Sequence, residues 1–231
     1  LASDENFIGV SPGFQIAFNK LRKVAKTDAT VLFLGDSGVG KSRICHHYIY
    51  KNKEFPQHST IGVELNFKLY YTNSIYYKVH LWDTAGQERF RSIIRNYYKN
   101  NDSIILVFDI NDIETFQNIK LWMEDIKEYS DNKNIYLISN KIDLKYKRHN
   151  QIENNIILDF INNNPWIKKY YEVSALTGEH IEETMNDIIE KTILNSTKLY
   201  EIKLEEDSNC SINIDTKMIY ENQPTNCCYL L

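Results

Sequence analysis

Eight residues, Gly35-Asp36-Ser37-Gly38-Val39-Gly40-Lys41-Ser42, stand directly behind the apolar run Ala29–Leu34 and ahead of a helical pattern over 40–51. An apolar run of this length ending in glycine predicts a buried strand, and the G-x-x-x-x-G-K-S spacing predicts a tight loop joining it to a helix. Glycines let the backbone curl until successive N–H groups point inward, beside the positive end of the following helix. That concavity suits phosphate oxygens, and a side chain there would obstruct the approach. Lys41 is the expected cation for the outer phosphates, with Arg43 next to the loop, and the Ser42 hydroxyl is an expected Mg²⁺ ligand. The loop implies a bound nucleoside triphosphate but leaves the base and its fate open.

Between residues 29 and 196 apolar runs alternate with helical patterns. Strands are expected at 29–35, 63–72, 75–83, 102–109, 134–140 and 168–173, and helices at 40–51, 88–99, 113–130, 151–163 and 179–196. Runs such as Ile104–Phe108 are apolar on both faces, which predicts an α/β fold with a six-stranded, mostly parallel sheet covered by helices on both sides. Asn73–Ser74 between the second and third runs predicts a hairpin and hence one antiparallel edge. In such sheets ligands bind at the carboxyl ends of the strands.

A net charge of −4 lacks the basic field that nucleic acid requires. No apolar stretch reaches the roughly 20 residues that span a bilayer, and no cleavable signal is evident, so a cytosolic chain is expected. The four cysteines, Cys45, Cys210, Cys227 and Cys228, lack the spacing and histidine company of a zinc site; Cys45 is expected as a small buried hydrophobe. Residues 1–27 read as an extension. Ser11–Pro12 opens a helical pattern with Phe14, Ala17, Phe18 and Leu21 on one face and Lys20, Arg22, Lys23 and Lys26 opposite; it reads as a helix packed on the domain or a disordered extension ahead of a membrane-surface or partner contact. Residues 28–196 are the expected globular domain, and the polar, acidic stretch 197–231 is an expected flexible tail.

Asn140-Lys141-Ile142-Asp143-Leu144 follows one strand and Ser174-Ala175-Leu176 follows another. A carboxylate can accept from two adjacent donors, which guanine offers at N1–H and N2–H₂ and adenine lacks, so Asp143 is the candidate reader of guanine. Asn140 is expected to brace the site, Lys141 to lie against a base face, the Ala175 N–H to meet guanine O6, and Ser174 to support Asp143. Asp83 ends a strand near the phosphate loop, where it would serve Mg²⁺. Gly86 would bring its N–H to the γ-phosphate, and Gln87 could orient an attacking water. Thr60 supplies a hydroxyl able to join Mg²⁺ only while the γ-phosphate is present.

With GDSGVGKS at 35–42, STIGVE at 59–64, WDTAGQERFRS at 82–92, NKIDL at 140–144 and VSAL at 173–176, the sequence resembles a small GTPase of the Ras superfamily, most closely the Rab family. The likeness covers about 170 residues, one domain. It implies a P-loop G-domain that binds GTP or GDP with Mg²⁺, hydrolyses GTP slowly with Gln87 and Lys41 in the catalytic site, and regulates vesicle traffic as a monomer. Exchange factors, GTPase-activating proteins, effectors and prenyl-binding escort proteins are the implied partners. No arginine is evidently placed to act in cis, so the activating protein is expected to bring the missing cation. A nucleotide-locked scaffold is the rival disfavoured by Gln87 and Thr60; a P-loop kinase or ATPase is disfavoured by NKIDL.

The implied effector surface comprises Ile61, Gly62, Leu65, Trp82, Phe90 and Tyr97. Leu65 stands where Rab proteins usually carry Phe, and Lys99–Asn100–Asn101 replaces Arg-Gly-Ala after Tyr97–Tyr98. Phe55 is assigned to the nucleotide, although the family's aromatic lies slightly upstream, near Lys53. Cys227 and Cys228, in Cys-Cys-Tyr-Leu-Leu, fit a double-cysteine prenylation terminus. Two lipid chains give stable attachment where one is marginal, so both cysteines are expected to be modified, placing the protein on the cytoplasmic face of intracellular membranes and cycling with cytosol.

Overall fold

A computed structural model describes residues 28–51, 60–72, 75–99, 101–130, 134–144 and 152–195. Six strands form one sheet: β1 (Asp28–Leu34), β2 (Val63–Thr72), β3 (Ile75–Thr84), β4 (Ser103–Asp109), β5 (Ile135–Asn140) and β6 (Ile167–Glu172). Their order is β2-β3-β1-β4-β5-β6, parallel throughout except for the antiparallel pair β2–β3. The hairpin register runs from Thr72 opposite Ile75 to Val63 opposite Thr84.

The alternation inside each strand divides the core in two. Val31 and Phe33 of β1 with Ile105 and Val107 of β4 join one cluster, closed by α1 (Lys41–Tyr50) and α6 (Ile181–Asn195) through Ile44, Tyr48, Met185 and Ile189. Leu32, Leu34, Leu106 and Phe108 face the other way. They meet α2 (Arg91–Ile94), α3 (Ile113–Gln117), α4 (Ile119–Tyr129) and α5 (Asn154–Asn162) through Ile94, Phe116, Trp122, Met123, Ile126 and Ile157. Every residue of β4 is buried, as expected of a strand covered on both faces. Cys45 is buried on α1, among the apolar residues.

Two helical expectations are revised. The span 88–99 is a 3₁₀ turn (Glu88–Phe90), the short α2 and a second 3₁₀ turn (Arg95–Tyr97). Within it only Ile94 and Tyr98 are fully buried apolar anchors, too little packing to enforce a long regular helix. The span 113–130 is interrupted at Asn118, whose backbone keeps helical dihedrals while its carbonyl is shared by the N–H groups of Leu121 and Trp122. Asp112 caps α3 by accepting from the Glu114 N–H at 3.0 Å.

Candidate nucleotide site

The loop after β1 closes back on itself around a lysine. Lys41 Nζ donates to the carbonyls of Gly35 and Asp36, 2.8 Å each, and is almost fully buried. Burial pulls the Lys41 pKa down to about 8 despite the nearby Asp83 and Asp36 carboxylates. Gly35 has φ of 139°, and a Cβ there would overlap the Val107 carbonyl of β4, so only glycine passes between the two strands.

Across the loop three groups from distant segments converge. Ser42 Oγ lies 2.7 Å from Thr60 Oγ1, and Thr60 Oγ1 donates to Asp83 Oδ2 at 3.0 Å. Asp83 is buried, its Oδ1 has no hydrogen-bond partner, and burial raises its pKa against the opposing pull of Ser42, Lys41 and Thr60. A buried carboxylate oxygen without a partner is costly unless a cation meets it. Two hydroxyls and a carboxylate, all oxygen donors, are the set Mg²⁺ prefers, so the residues fit that ion. Gly86 follows on the next turn. A Cβ on it would overlap the Asp36 and Ser37 backbone, and the Ala85 N–H donates to the Gly62 carbonyl at 2.8 Å, joining the segment after β3 to the one before β2.

At the ends of β5 and β6 a second polar cluster forms. Asn140 Nδ2 donates to the Val39 carbonyl at 2.7 Å, tying this cluster to the phosphate loop. Ser174 Oγ donates to Asp143 Oδ1 at 2.5 Å and accepts from the Thr177 N–H at 3.2 Å, which turns the carboxylate toward the cleft edge. The Ala175 N–H, the group expected to face guanine O6, donates to Asn140 Oδ1 at 2.9 Å. Asn140 is almost wholly buried, and its carbonyl oxygen takes that neighbouring donor.

These clusters share a cleft of about 440 Å³, a size suited to a nucleotide. Ser37, Gly38, Gly40, Lys41, Ser42 and Arg43 line one wall, Thr60, Gly86 and Gln87 the rim, and Asn140, Lys141, Asp143, Leu144, Ala175 and Leu176 the far end. Val39 is buried beneath the loop. Phe55, Cys227, Cys228 and residues 1–27 and 197–231 lie outside the described residues. On the outer face, Leu65 sits opposite Trp82 in the hairpin register, and Trp82 packs on Tyr97 with ring centroids 5.0 Å apart. Ile61 is exposed and Phe90 is half-buried, while Gly62 supplies the carbonyl noted above.

Sequence reasoning passed over two residues at this site. Asp109 ends β4 and accepts from Lys141 Nζ through Oδ2 at 2.8 Å; its Oδ1 accepts the Asn111 N–H at 2.9 Å. Asn111 Nδ2 in turn donates to the Lys141 carbonyl at 3.2 Å. Lys141 holds φ of 70°, an unusual conformation for a residue with a Cβ, and is gripped at both ends. The signal was available: Asp109 sits at a strand's carboxyl end, as Asp83 and Asn140 do.

The sequence matches the Ras family over residues 30–194. It is 37% identical over 179 residues to Ras-related protein Rab-4A of Rattus norvegicus, covering 75% of this chain and 78% of the relative. It is 31% identical over 201 residues to GTP-binding protein YPT1 of Saccharomyces cerevisiae, covering 86% and 95%. Ras-related protein RABD2a of Arabidopsis thaliana is 42% identical over 119 residues, covering 51% and 59%. With this fold, this cleft and these relatives, the chain belongs to the Ras family as a Rab-type small GTPase of vesicle trafficking.

Proposed function

We propose that residues 28–196 form a guanine-nucleotide switch that reads the γ-phosphate through Thr60 and Gly86 and is carried to membranes by prenyl groups on Cys227 and Cys228. The observation that carries the reading is the meeting of Ser42, Thr60 and Asp83 around the unpartnered Asp83 Oδ1. Thr60 comes from a separate segment, 18 residues beyond Ser42, so whatever holds this trio together also fixes the start of β2. Mg²⁺ held by Ser42, Thr60 and Asp83 would neutralise charge on the β- and γ-phosphates.

The chain's own residues do the rest. Loop amides between Gly35 and Ser42, with charged Lys41, hold the phosphates and stabilise the charge that develops on them. Gln87, on the rim beside Gly86, orients a water whose oxygen bonds to the γ-phosphorus as the bridging β–γ bond breaks, giving GDP and inorganic phosphate. Asp143, fixed by Ser174, reads guanine at N1–H and N2–H₂, while Asn140 braces the base end against Val39. Arg91 and Arg95 are both engaged with Asp125, and Arg89 lies over the Phe90 ring. Arg43 borders the cleft beside the phosphate loop, away from Gln87 in sequence; in this reading basal turnover is slow, and a GTPase-activating protein supplying a cation adds on the order of 10³ to 10⁵ in rate.

Effectors read Ile61, Gly62, Leu65, Trp82, Phe90 and Tyr97 in the triphosphate state. Exchange factors and prenyl-binding escorts complete a cycle between cytosol and the cytoplasmic face of intracellular membranes. Residues 1–27 are an extension and 197–231 the tail bearing the anchor. Single-turnover GTP hydrolysis with Gln87→Leu as control, alongside GTP and ATP competition, tests the reading. Guanine preference with loss of turnover in the variant supports it; equal affinity for both purines would end it.

A further inference from the structure

We propose that one face of α4 is a positioning device that couples the phosphate loop to the segment carrying Gln87, with Trp122 as its joint. The proposal rests on the reading of Gly86 and Gln87 as the γ-phosphate-sensing segment and assigns how that segment is registered.

Asn118, Trp122, Asp125 and Tyr129 succeed one another at intervals of four, three and four, so they share one stripe of the helix. The upper half of the stripe grips the phosphate loop. Asn118 Nδ2 donates to Asp36 Oδ2 at 2.7 Å, and Trp122 Nε1 donates to Asp36 Oδ1 at 3.0 Å, so both oxygens of that carboxylate are held by α4 and its N-cap residue. The Asp36 carbonyl meanwhile accepts from Lys41 Nζ, so the lysine is bonded to the very residue that is gripped.

The lower half grips the second segment. Arg91 Nε stands 2.7 Å from Asp125 Oδ2, an ion pair whose N–H is not aimed for a hydrogen bond, and its guanidinium lies 4.8 Å from the Trp122 ring. Arg95 Nη2 donates to Asp125 Oδ1 at 3.1 Å, with its guanidinium 4.6 Å from the Tyr129 ring. Asp125 is mostly buried, where two cationic partners count for far more than at the surface. Trp122 thus touches both systems, its N–H on the phosphate loop and its ring face under the arginine.

Between the two grips lies a cavity of about 270 Å³ bordered by Ser37, Gly86, Arg91 and Leu121. Gly86 already lies against the Asp36–Ser37 backbone, so the cavity is the space into which its turn would withdraw while the arginines keep their hold on α4. The helix then serves as the fixed reference against which both moving parts are set, and a disturbance at either end reaches the other through Trp122.

The test uses the full chain. Trp122→Phe keeps an aromatic ring beside Arg91 but removes the N–H to Asp36 together with part of the buried ring, so its effect is read against overall stability; Asp125→Asn keeps the shape and removes the charge that both arginines share. GDP release and single-turnover GTP hydrolysis are measured for each variant and for the pair, with Gln87→Leu alongside. Each single variant is expected to slow hydrolysis about tenfold and to speed GDP release several-fold, although Asp125 borders no part of the nucleotide cleft. The pair is expected to be no worse than the poorer single variant, because both cut the same link.

Hydrogen exchange is read as well. A coupling role raises it in 91–97 when Trp122 is changed, whereas general loss of stability raises it throughout; this readout stands even if Asp125→Asn does not fold. Wild-type rates in both single variants, effects that multiply in the pair, or exchange unchanged at 91–97 would overturn the proposal. If Gln87→Leu hydrolyses normally, the reading of the sensing segment fails instead; if it is inactive while the α4 variants behave as wild type, only the coupling fails.

Discussion

Through its burial Lys41, the proposed phosphate ligand, is expected to weaken the protein when no nucleotide is bound. Its folded pKa of about 8 lies below the ordinary lysine value of 10.5 because it is buried. Between those two values the unfolded chain binds the extra proton, so stability contributed by this group rises with pH across the window and is lowest below it. From about pH 7 to about pH 9.5 the rise works out at about 2 kcal/mol for nucleotide-free protein. Lys41→Met removes that rise, although at neutral pH it also strands the Gly35 and Asp36 carbonyls, at a cost of about 1–3 kcal/mol.

The pH dependence, not the absolute stability, therefore isolates the effect. Urea melts of wild type and Lys41→Met, stripped of nucleotide by a chelator, are compared at the two pH values, and the difference between proteins cancels tyrosine and cysteine titration. Saturating GDP with Mg²⁺ is expected to abolish the wild-type advantage at high pH, since phosphate offsets the buried charge. An equal pH response in both proteins would refute the claim that burial of Lys41 sets the energetics of the empty loop.

Three further outcomes follow from the site. Asp143→Asn replaces an acceptor with an amide, so GDP affinity is expected to fall by about 10⁴ while a xanthine nucleotide, which presents a carbonyl where guanine has its amino group, is relatively favoured; competition against a fluorescent nucleotide measures both. Asp109→Asn removes the charge that holds Lys141 in its left-handed conformation, and GDP release is expected to accelerate about tenfold in stopped-flow exchange, with the thermal midpoint nearly unchanged. Gly86→Ala sets a Cβ against rigid backbone at Asp36 and Ser37, so single-turnover hydrolysis is expected to fall by on the order of 10² while GDP binding is retained.

What could be read in advance follows from local physics. The six strands stand within one or two residues of their expected positions because long apolar runs bounded by polar loops admit few alternatives. Lys41, Ser42, Asn140 and Ser174 come together because their spacing is tied to strand ends. The irregular 88–99 span escaped because its shape is set by Arg91 and Arg95 reaching Asp125 and by Trp82 against Tyr97, contacts far apart in the chain. Asn118 likewise reads as an ordinary helical residue until Asp36, 82 positions away, meets its amide. The pairing of the Ala175 N–H with Asn140 Oδ1 is also not legible in advance, because its partner comes from another strand.

In the proposed switch, one phosphoryl group determines whether the segments before β2 and after β3 are ordered together. Hydrogen exchange at 60–64 and 85–98, compared between GDP and a non-hydrolysable GTP analogue with Mg²⁺ present, measures this directly. Slower exchange in both segments with the analogue, and little change in β4 and β5, is the predicted result. Matching exchange in the two nucleotide states would contradict it.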